Sequence, residues 1–353
     1  MSRVLIRASR TYEVQILDRL PPDTGELVRA AVPGAERAAI LADDTVWALY
    51  GPELEACLAG AGLTVFHHVF PHGEASKNAS TYIGILEWLS SCRADRQDVL
   101  IALGGGVTGD LGGFAAATYL RGIAYIQMPT TLLAMVDSSV GGKTAIDLRA
   151  GKNLAGAFWQ PSLVLCRCSA LDTLPREILA DGCAEVVKYG VLCDPELFRH
   201  LEERGLDFDR AYVVERCVKD KQAFVSRDEF DRGARKLLNL GHTLGHALEQ
   251  KSGYALSHGR GVSIGMAAVT RAAAQRGWCP AELPARLEAL LEKLELPIRS
   301  SWPVAELEEY LLADKKWSGS EVEVIVPEEL GRCVIRPMDR QELREFMEAG
   351  CWE

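Results

Sequence analysis

Val99-Leu100-Ile101-Ala102-Leu103-Gly104-Gly105-Gly106-Val107-Thr108-Gly109-Asp110 carries the clearest fold signal in the chain. Its unbroken apolar start, closed by glycines, reads as a strand buried on both faces, as in a parallel sheet. Leu111–Tyr119 follows with helical character. Strand, glycine turn and helix together suit a dinucleotide site. Glycines let backbone N–H groups approach a pyrophosphate at the positive end of the helix. An ordinary strand-to-helix turn would use the same glycines. The run also lacks the G-x-G-x-x-G spacing with an acid about twenty residues on.

On either side of it, Arg3–Arg7, Glu13–Leu17, Ala38–Leu41, Thr64–Val69, Ile123–Met128 and Leu163–Cys166 read as further strands. Val46–Ala61 and Thr81–Cys92 have helical period. This alternation predicts an α/β, Rossmann-like dinucleotide-binding domain over residues 1–170. Beyond Leu171 long amphipathic segments take over: Arg176–Cys193, Tyr212–Ser226, Arg235–Gln250, Gly261–Arg276 and Pro284–Leu294. Residues 171–353 therefore read as an all-α domain, with the boundary near Ser169–Leu174. A cleft between two such domains is the default place for an active site.

Composition narrows the function. The 353 residues are enough for two domains. A net charge of −10 argues against nucleic acid as partner. No apolar run approaches the roughly 18 residues of a membrane span, and Met1–Arg7 has no signal-peptide apolar core. The ten cysteines form no Cys-x-x-Cys and read as reduced thiols. Cys166 and Cys168, the closest pair, read as core packing. A cytoplasmic protein is expected.

Chemistry concentrates in the helical half. Leu238-Asn239-Leu240-Gly241-His242-Thr243-Leu244-Gly245-His246 is followed twelve residues later by His258. His242 and His246 stand at i and i+4, on one face of any helix that carries both. That is metal-ligand spacing, and a catalytic divalent ion takes three protein ligands and keeps one position open. If one helix runs through, Arg235, Asn239, His242 and His246 share a stripe, a poor core face and a good site wall. Gly241 and Gly245 beside it allow close approach of a ligand or another helix. Glu185 and Lys188, at i and i+3 in an apolar stretch, read either as a surface ion pair or as a carboxylate that wants a partner such as a metal.

In the α/β half, Asp43 ends an apolar strand. It is either a turn residue or an acceptor for a ribose hydroxyl, which would favour NAD over NADP. Val140-Gly141-Gly142-Lys143-Thr144 imitates a P-loop, but the glycine required five positions before Gly142 is Asp137, so triphosphate hydrolysis is excluded. A polar, glycine-rich loop with Lys143, echoed by Lys152-Asn153, instead suits a small anion.

Taken together these motifs resemble the 3-dehydroquinate synthase family of the sugar-phosphate cyclases. The resemblance runs from Asp43 to Lys316. It rests on Gly73-Glu74 with Lys77, Gly104–Asp110, Arg121-Gly122, Pro129–Ala134, Asp137–Lys143 and Gly151–Asn153. Ala184–Gly190, Leu238–His246 and Asp314–Lys316 complete it. It implies a metal, zinc or cobalt, held by Glu185, His242 and His258. His246 then becomes a proton-transfer or hydrogen-bonding group rather than a ligand. It implies NAD over Gly105, Gly106 and Val107, with Asp43, Glu74, Lys77, Asp110, Thr130, Thr131 and Asp137 around it. The implied substrate is a sugar phosphate, 3-deoxy-D-arabino-heptulosonate 7-phosphate. Its charges would meet Arg121, Lys143, Lys152, Asn153, Lys188 and Lys221, then Arg235, Asn239 and Lys316 or its neighbour Lys315. The implied reaction is a lyase-type cyclisation to 3-dehydroquinate: transient oxidation by NAD, phosphate elimination, re-reduction and internal aldol closure. Arg121 is expected to reach across a homodimer interface. One departure stands out. Where the family often has Asp-x-Asn near the adenosine, this chain has Asp43-Asp44-Thr45, and Thr45 lacks the paired donor and acceptor of an amide.

Three rivals compete with this reading. A sister cyclase would share the metal and NAD sites and differ where the carboxylate is held; Arg235, Asn239 and Lys315-Lys316 favour the carboxylate-bearing substrate. A polyol dehydrogenase would not need so many lysines. A non-catalytic paralogue would lack part of the site, and nothing is missing.

Overall fold

The computed structural model describes residues 2–312, 317–318 and 321–351. The chain divides into two compact units. The first comprises the residues up to Leu174 together with Arg210–Phe230; the second is Pro175–Asp209 and the chain from Asp231 onward. The helix Arg210–Arg227, whose period assigned it to the helical half, therefore belongs with the α/β unit.

Strands β1 (Ser2–Ile6), β2 (Tyr12–Leu17), β3 (Arg37–Asp43), β4 (Thr64–Phe70), β5 (Val99–Gly104), β6 (Ala124–Pro129), β7 (Lys143–Leu148), β8 (Gly151–Phe158) and β9 (Leu163–Arg167) form the first unit's sheets. Seven of them make one sheet in the order β1-β2-β9-β6-β5-β3-β4. Only β1 pairs antiparallel in that sheet; the rest run parallel. Parallel strands are buried on both faces, and every residue of β5 is buried. The helices α1 (Thr24–Ala31), α2 (Asp44–Gly60), α3 (Ala79–Ser91) and α4 (Gly106–Thr118) lie between the strands in sequence. Ile85 and Leu89 of α3 and Leu111 and Ala115 of α4 share a buried cluster with Leu41, Leu100 and Tyr125 of the sheet. Each fully buried Leu or Ile in it contributes about 1.5–3 kcal/mol. A Cβ on Gly112 would stand 2.9 Å from the Ala102 Cβ, so α4 seats directly on β5.

After β4 the chain crosses to the other side of β3 to form β5. The strand order thus reverses between β3 and β5, and their carboxyl ends make the crevice where such sheets bind ligands. Asp43 ends β3, Gly104 ends β5, and Thr130 and Thr131 follow β6. The strands β7 and β8 form a separate antiparallel hairpin. Its glycine-rich sequence has the look of a loop.

The second unit is helical, built on Arg176–Leu192, Pro195–Arg204, His242–Lys251, His258–Gln275, Leu283–Lys293, Val304–Leu312 and Arg340–Cys351. It also carries an antiparallel hairpin, Glu321–Glu329 with Arg332–Asp339, which amphipathic periodicity did not announce. Among the described residues no helix is long and apolar enough to cross a membrane.

Candidate active site

In the second unit, glycines let three helices meet. A Cβ on Gly245 would lie 2.9 Å from the Gly261 carbonyl carbon. One on Gly265 would collide with the Gly241 oxygen, and one on Gly259 with the Asp181 oxygen. His242–Lys251 and His258–Gln275 therefore cross backbone to backbone, and the start of His258–Gln275 abuts Arg176–Leu192 one turn before Glu185. The Asp181 carboxylate fixes that start by accepting hydrogen bonds from the Ser257 hydroxyl and the Arg260 N–H.

This crossing brings Glu185, His242 and His258 together, each with a ligand atom within 4.8 Å of the others. Nε2 of His242 lies 3.4 Å and Nε2 of His258 3.3 Å from Oε1 of Glu185. Nδ1 of His242 is 3.0 Å from the Leu240 carbonyl oxygen. A carbonyl only accepts, so Nδ1 carries a proton and Nε2 is the ring atom that faces Glu185. Nδ1 of His258 is 2.9 Å from Oε1 of Glu249. Carboxylate and carbonyl partners of this kind are what orient metal-bound histidines. Burial works against charge on His258, yet the bonds its ring donates to the Glu185 and Glu249 carboxylates raise its pKa to about 10. Two imidazoles with one carboxylate suit a divalent ion with an open position.

Glu185 is fully buried and Lys188, 1% exposed, pairs with its Oε2. This is a core ion pair, not a surface one. The continuous helical stripe is corrected by the structure. Ala234–Asn239 is a 3-10 turn, Leu240 leaves the helical region at φ −53° and ψ 126°, and Gly241 has φ +79°. The helix starts only at His242. A Cβ on Gly241 would lie 2.6 Å from the Val262 oxygen, so close helix packing forces this break. Arg235 and Asn239 thus reach the region from a separate turn; Arg235 is buried, and Asn239 donates to the Lys236 oxygen at 3.0 Å. His246 keeps its i+4 place, with ring centroids 5.3 Å from His242 and 6.1 Å from His258.

The first unit gathers the other predicted residues around Lys77. Its buried ammonium lies 2.6 Å from Oδ2 of Asp110, 2.6 Å from Oδ1 of Asn153 and 3.9 Å from Glu74. Burial would lower its pKa, but Asp110 and Glu74 outweigh this and hold it raised. Lys152 lies 3.5 Å from the same Glu74 oxygen. Residues expected around nucleotide and around substrate are thus one network. Gly105 and Gly106 open α4, where a Cβ on Gly105 would crowd Thr131 at 3.1 Å. Val107 follows in its first turn. The Thr130 N–H donates to the Gly104 oxygen at 3.0 Å, and Thr131 Oγ1 accepts from the Ala134 N–H at 3.2 Å. Lys221, on the helix Arg210–Arg227, lies 2.9 Å from Oδ1 of Asp137. Asp43 caps α2, accepting from the Val46 N–H at 2.9 Å. Lys143 begins β7 exposed, and Arg121 is exposed too, with φ +67° beside Leu120 at φ +50°. Lys315 and Lys316 lie outside the described residues.

Glu249 and Asp147 were missed. Glu249 stands three residues after His246 on the same helix, a spacing that could have found it. Asp147 accepts the Asn153 N–H at 2.8 Å, and no motif marks it.

Comparison with known proteins decides the family. The model of the 3-dehydroquinate synthase N-terminal domain matches residues 67–181, and that of the C-terminal domain matches residues 182–317. The chain belongs to the 3-dehydroquinate synthase family. Among its relatives, 3-dehydroquinate synthase of Enterococcus faecalis (strain ATCC 47077 / OG1RF) is 42% identical over 343 residues, covering 96% of this chain and 94% of that protein. The synthase of Paracoccus denitrificans (strain Pd 1222) is 48% identical over 299 residues, covering 82% and 81%. A solved structure of 2-epi-5-epi-valiolone synthase from Streptomyces hygroscopicus subsp. jinggangensis 5008, with NAD+ and Zn2+ bound, is 27% identical with a TM-score of 0.88 and covers 98% of each chain. A 2-deoxy-scyllo-inosose synthase complexed with carbaglucose-6-phosphate, NAD+ and Co2+ shares the fold, with 23% identity, a TM-score of 0.87 and coverage of 99% and 100%.

Proposed function

We propose that this chain converts 3-deoxy-D-arabino-heptulosonate 7-phosphate to 3-dehydroquinate and phosphate, with NAD and one Zn2+ or Co2+. That is a lyase step of the shikimate pathway to aromatic amino acids. The observation that carries the reading is the convergence of Glu185, His242 and His258 beside buried Lys188, in a chain of this family. When bound, the ion supplies Lewis acidity at vicinal hydroxyls and the nicotinamide a reversible hydride acceptor.

The chain's own residues do the rest. Glu185, His242 and His258 hold the ion, and Glu249 keeps the His258 ring in orientation. Lys188 offsets the carboxylate charge and offers a donor to substrate. Arg235 and Asn239 bind the substrate carboxylate, joined by Lys316. Lys143, Lys152, Asn153 and Lys221 receive the phosphate end and stabilise charge as phosphate leaves. His246 moves or orients a proton at the substrate. Asp43, Glu74, Lys77, Asp110, Thr130, Thr131 and Asp137 would surround the nucleotide, and the N–H groups of Gly105, Gly106 and Val107 would receive its pyrophosphate. The domains act as an α/β nucleotide domain over residues 1–170 and a helical metal domain over 171–353, the helix Arg210–Arg227 excepted.

The enzyme works in the cytoplasm as a homodimer, without nucleic acid or membrane as partner. The homodimer reading rests on Arg121. Two consecutive non-glycine residues in the left-handed region, Leu120 and Arg121, cost about 1–3 kcal/mol each and cluster at functional sites. They support an arginine presented to the substrate of a partner subunit.

Substrate choice tests the reading against a sister cyclase. The heptulosonate phosphate is expected to exceed a heptulose phosphate lacking the carboxylate by at least about 100-fold in kcat/KM. Equal turnover of both would remove the carboxylate assignment of Arg235 and Asn239.

A further inference from the structure

The hairpin β7–β8 holds a feature that the family motifs do not assign. Its register pairs Ile146 with Ala155 and Leu148 with Gly151, and shifts between them. Across that gap β7 contributes only Asp147, while β8 contributes Lys152, Asn153 and Leu154. The surplus is a bulge, a device that re-aims side chains next to active sites. Asn153 sits in it with φ +55°, a conformation an L-residue adopts at a cost that asparagine bears best.

Asp147 closes the bulge. Its Oδ1 accepts the Asn153 N–H at 2.8 Å, and its own N–H donates to the Lys77 oxygen at 2.8 Å. The turn-over is completed by Lys77, whose ammonium donates to Asn153 Oδ1 at 2.6 Å. The backbone of Asn153 is thus held by one residue and its amide by another. Lys152, the residue before Asn153 in the bulge, lies 3.5 Å from Glu74.

We propose that Asp147 is a positioning residue for the substrate's phosphate end, fixing the bulge from which Lys152 and Asn153 reach it. This rests on the reading of Asn153 as a substrate contact. Asp147 touches neither substrate nor cofactor in this account; it acts through the Asn153 backbone.

The test compares Asp147→Ala, Asp147→Asn, Asn153→Ala and the double variant Asp147→Ala with Asn153→Ala. Phosphate release is followed across sugar-phosphate concentrations, NAD affinity by titration, and folding by thermal melting. Asp147→Ala is expected to raise KM roughly tenfold while NAD affinity stays within about twofold, because the backbone bond to Lys77 survives. Asp147→Asn should recover most of the loss, since its amide oxygen can accept the same N–H. In the Asn153→Ala background, Asp147→Ala should add less than about twofold, the mark of two residues acting through one contact. Losses that multiply independently, an asparagine variant as impaired as alanine, or an alanine variant within about twofold of the parent would each overturn the proposal. If Asn153→Ala itself leaves KM unchanged, the substrate assignment of Asn153 falls first. If Asn153→Ala is impaired but uncoupled from Asp147, only the positioning role falls. Should Asp147→Ala not fold, Asp147→Ser, too short to reach the Asn153 N–H, carries the same expectations.

Discussion

At the residue scale the metal set is a question of which atoms hold protons. The Leu240 carbonyl and the Glu249 carboxylate claim Nδ1 of His242 and His258, and leave both Nε2 atoms facing Glu185. Replacing His258 by Ala should cost the protein its bound metal at stoichiometric loading, read by metal analysis after desalting. Glu249→Gln, which keeps an acceptor but drops the charge, should weaken affinity by about 10–100-fold, as outer-shell substitutions do. Competition against a chelator of known affinity measures this, and unchanged affinity would remove Glu249 from the site. Residue types carried much of this into the sequence. Three clustered histidines are rare enough to read, whereas Glu249 looks like any surface helix acid until the fold buries it to 2% exposure.

At the element scale the decisive feature is the glycine-mediated crossing of His242–Lys251 with His258–Gln275. Gly265→Ala would drive a methyl into the Gly241 carbonyl. Overpacking of this kind costs about 1–3 kcal/mol, and here it also spreads the ligands. Both a lower melting temperature and weaker metal binding are therefore expected; a variant with native values of each would contradict the crossing. The same packing explains why the stripe from Arg235 to His246 misled. Spacing alone describes one continuous helix, but Gly241 stops the chain at φ +79° so that the helices can touch. The strand β5 was legible because its apolar run and glycines agree with its long-range environment. The hairpin β7–β8 was not, because glycines at 141, 142, 151 and 156 look like a loop locally, and its pairing depends on Thr144 seating against α4.

At the scale of the whole molecule each unit brings one kind of chemistry. The α/β unit places a glycine turn and its Lys77 network at the carboxyl ends of its strands. The helical unit gathers the ligand atoms of Glu185, His242 and His258 within 4.8 Å of one another. Metal binding should stabilise the folded chain by about 2.7 kcal/mol at a hundredfold excess over Kd. Chelation should therefore lower the melting temperature by several degrees, and an unchanged melt would speak against a resident ion. In the proposed reaction, oxidation and reduction close within one turnover and phosphate leaves in between. Incubating the protein with 3-deoxy-D-arabino-heptulosonate 7-phosphate, catalytic NAD and a divalent metal, while following phosphate and NADH absorbance together, tests it most directly. Stoichiometric phosphate with no accumulating NADH, abolished by a chelator, is the expected result; NADH accumulating without phosphate would contradict an internal redox cyclase and mark a dehydrogenase.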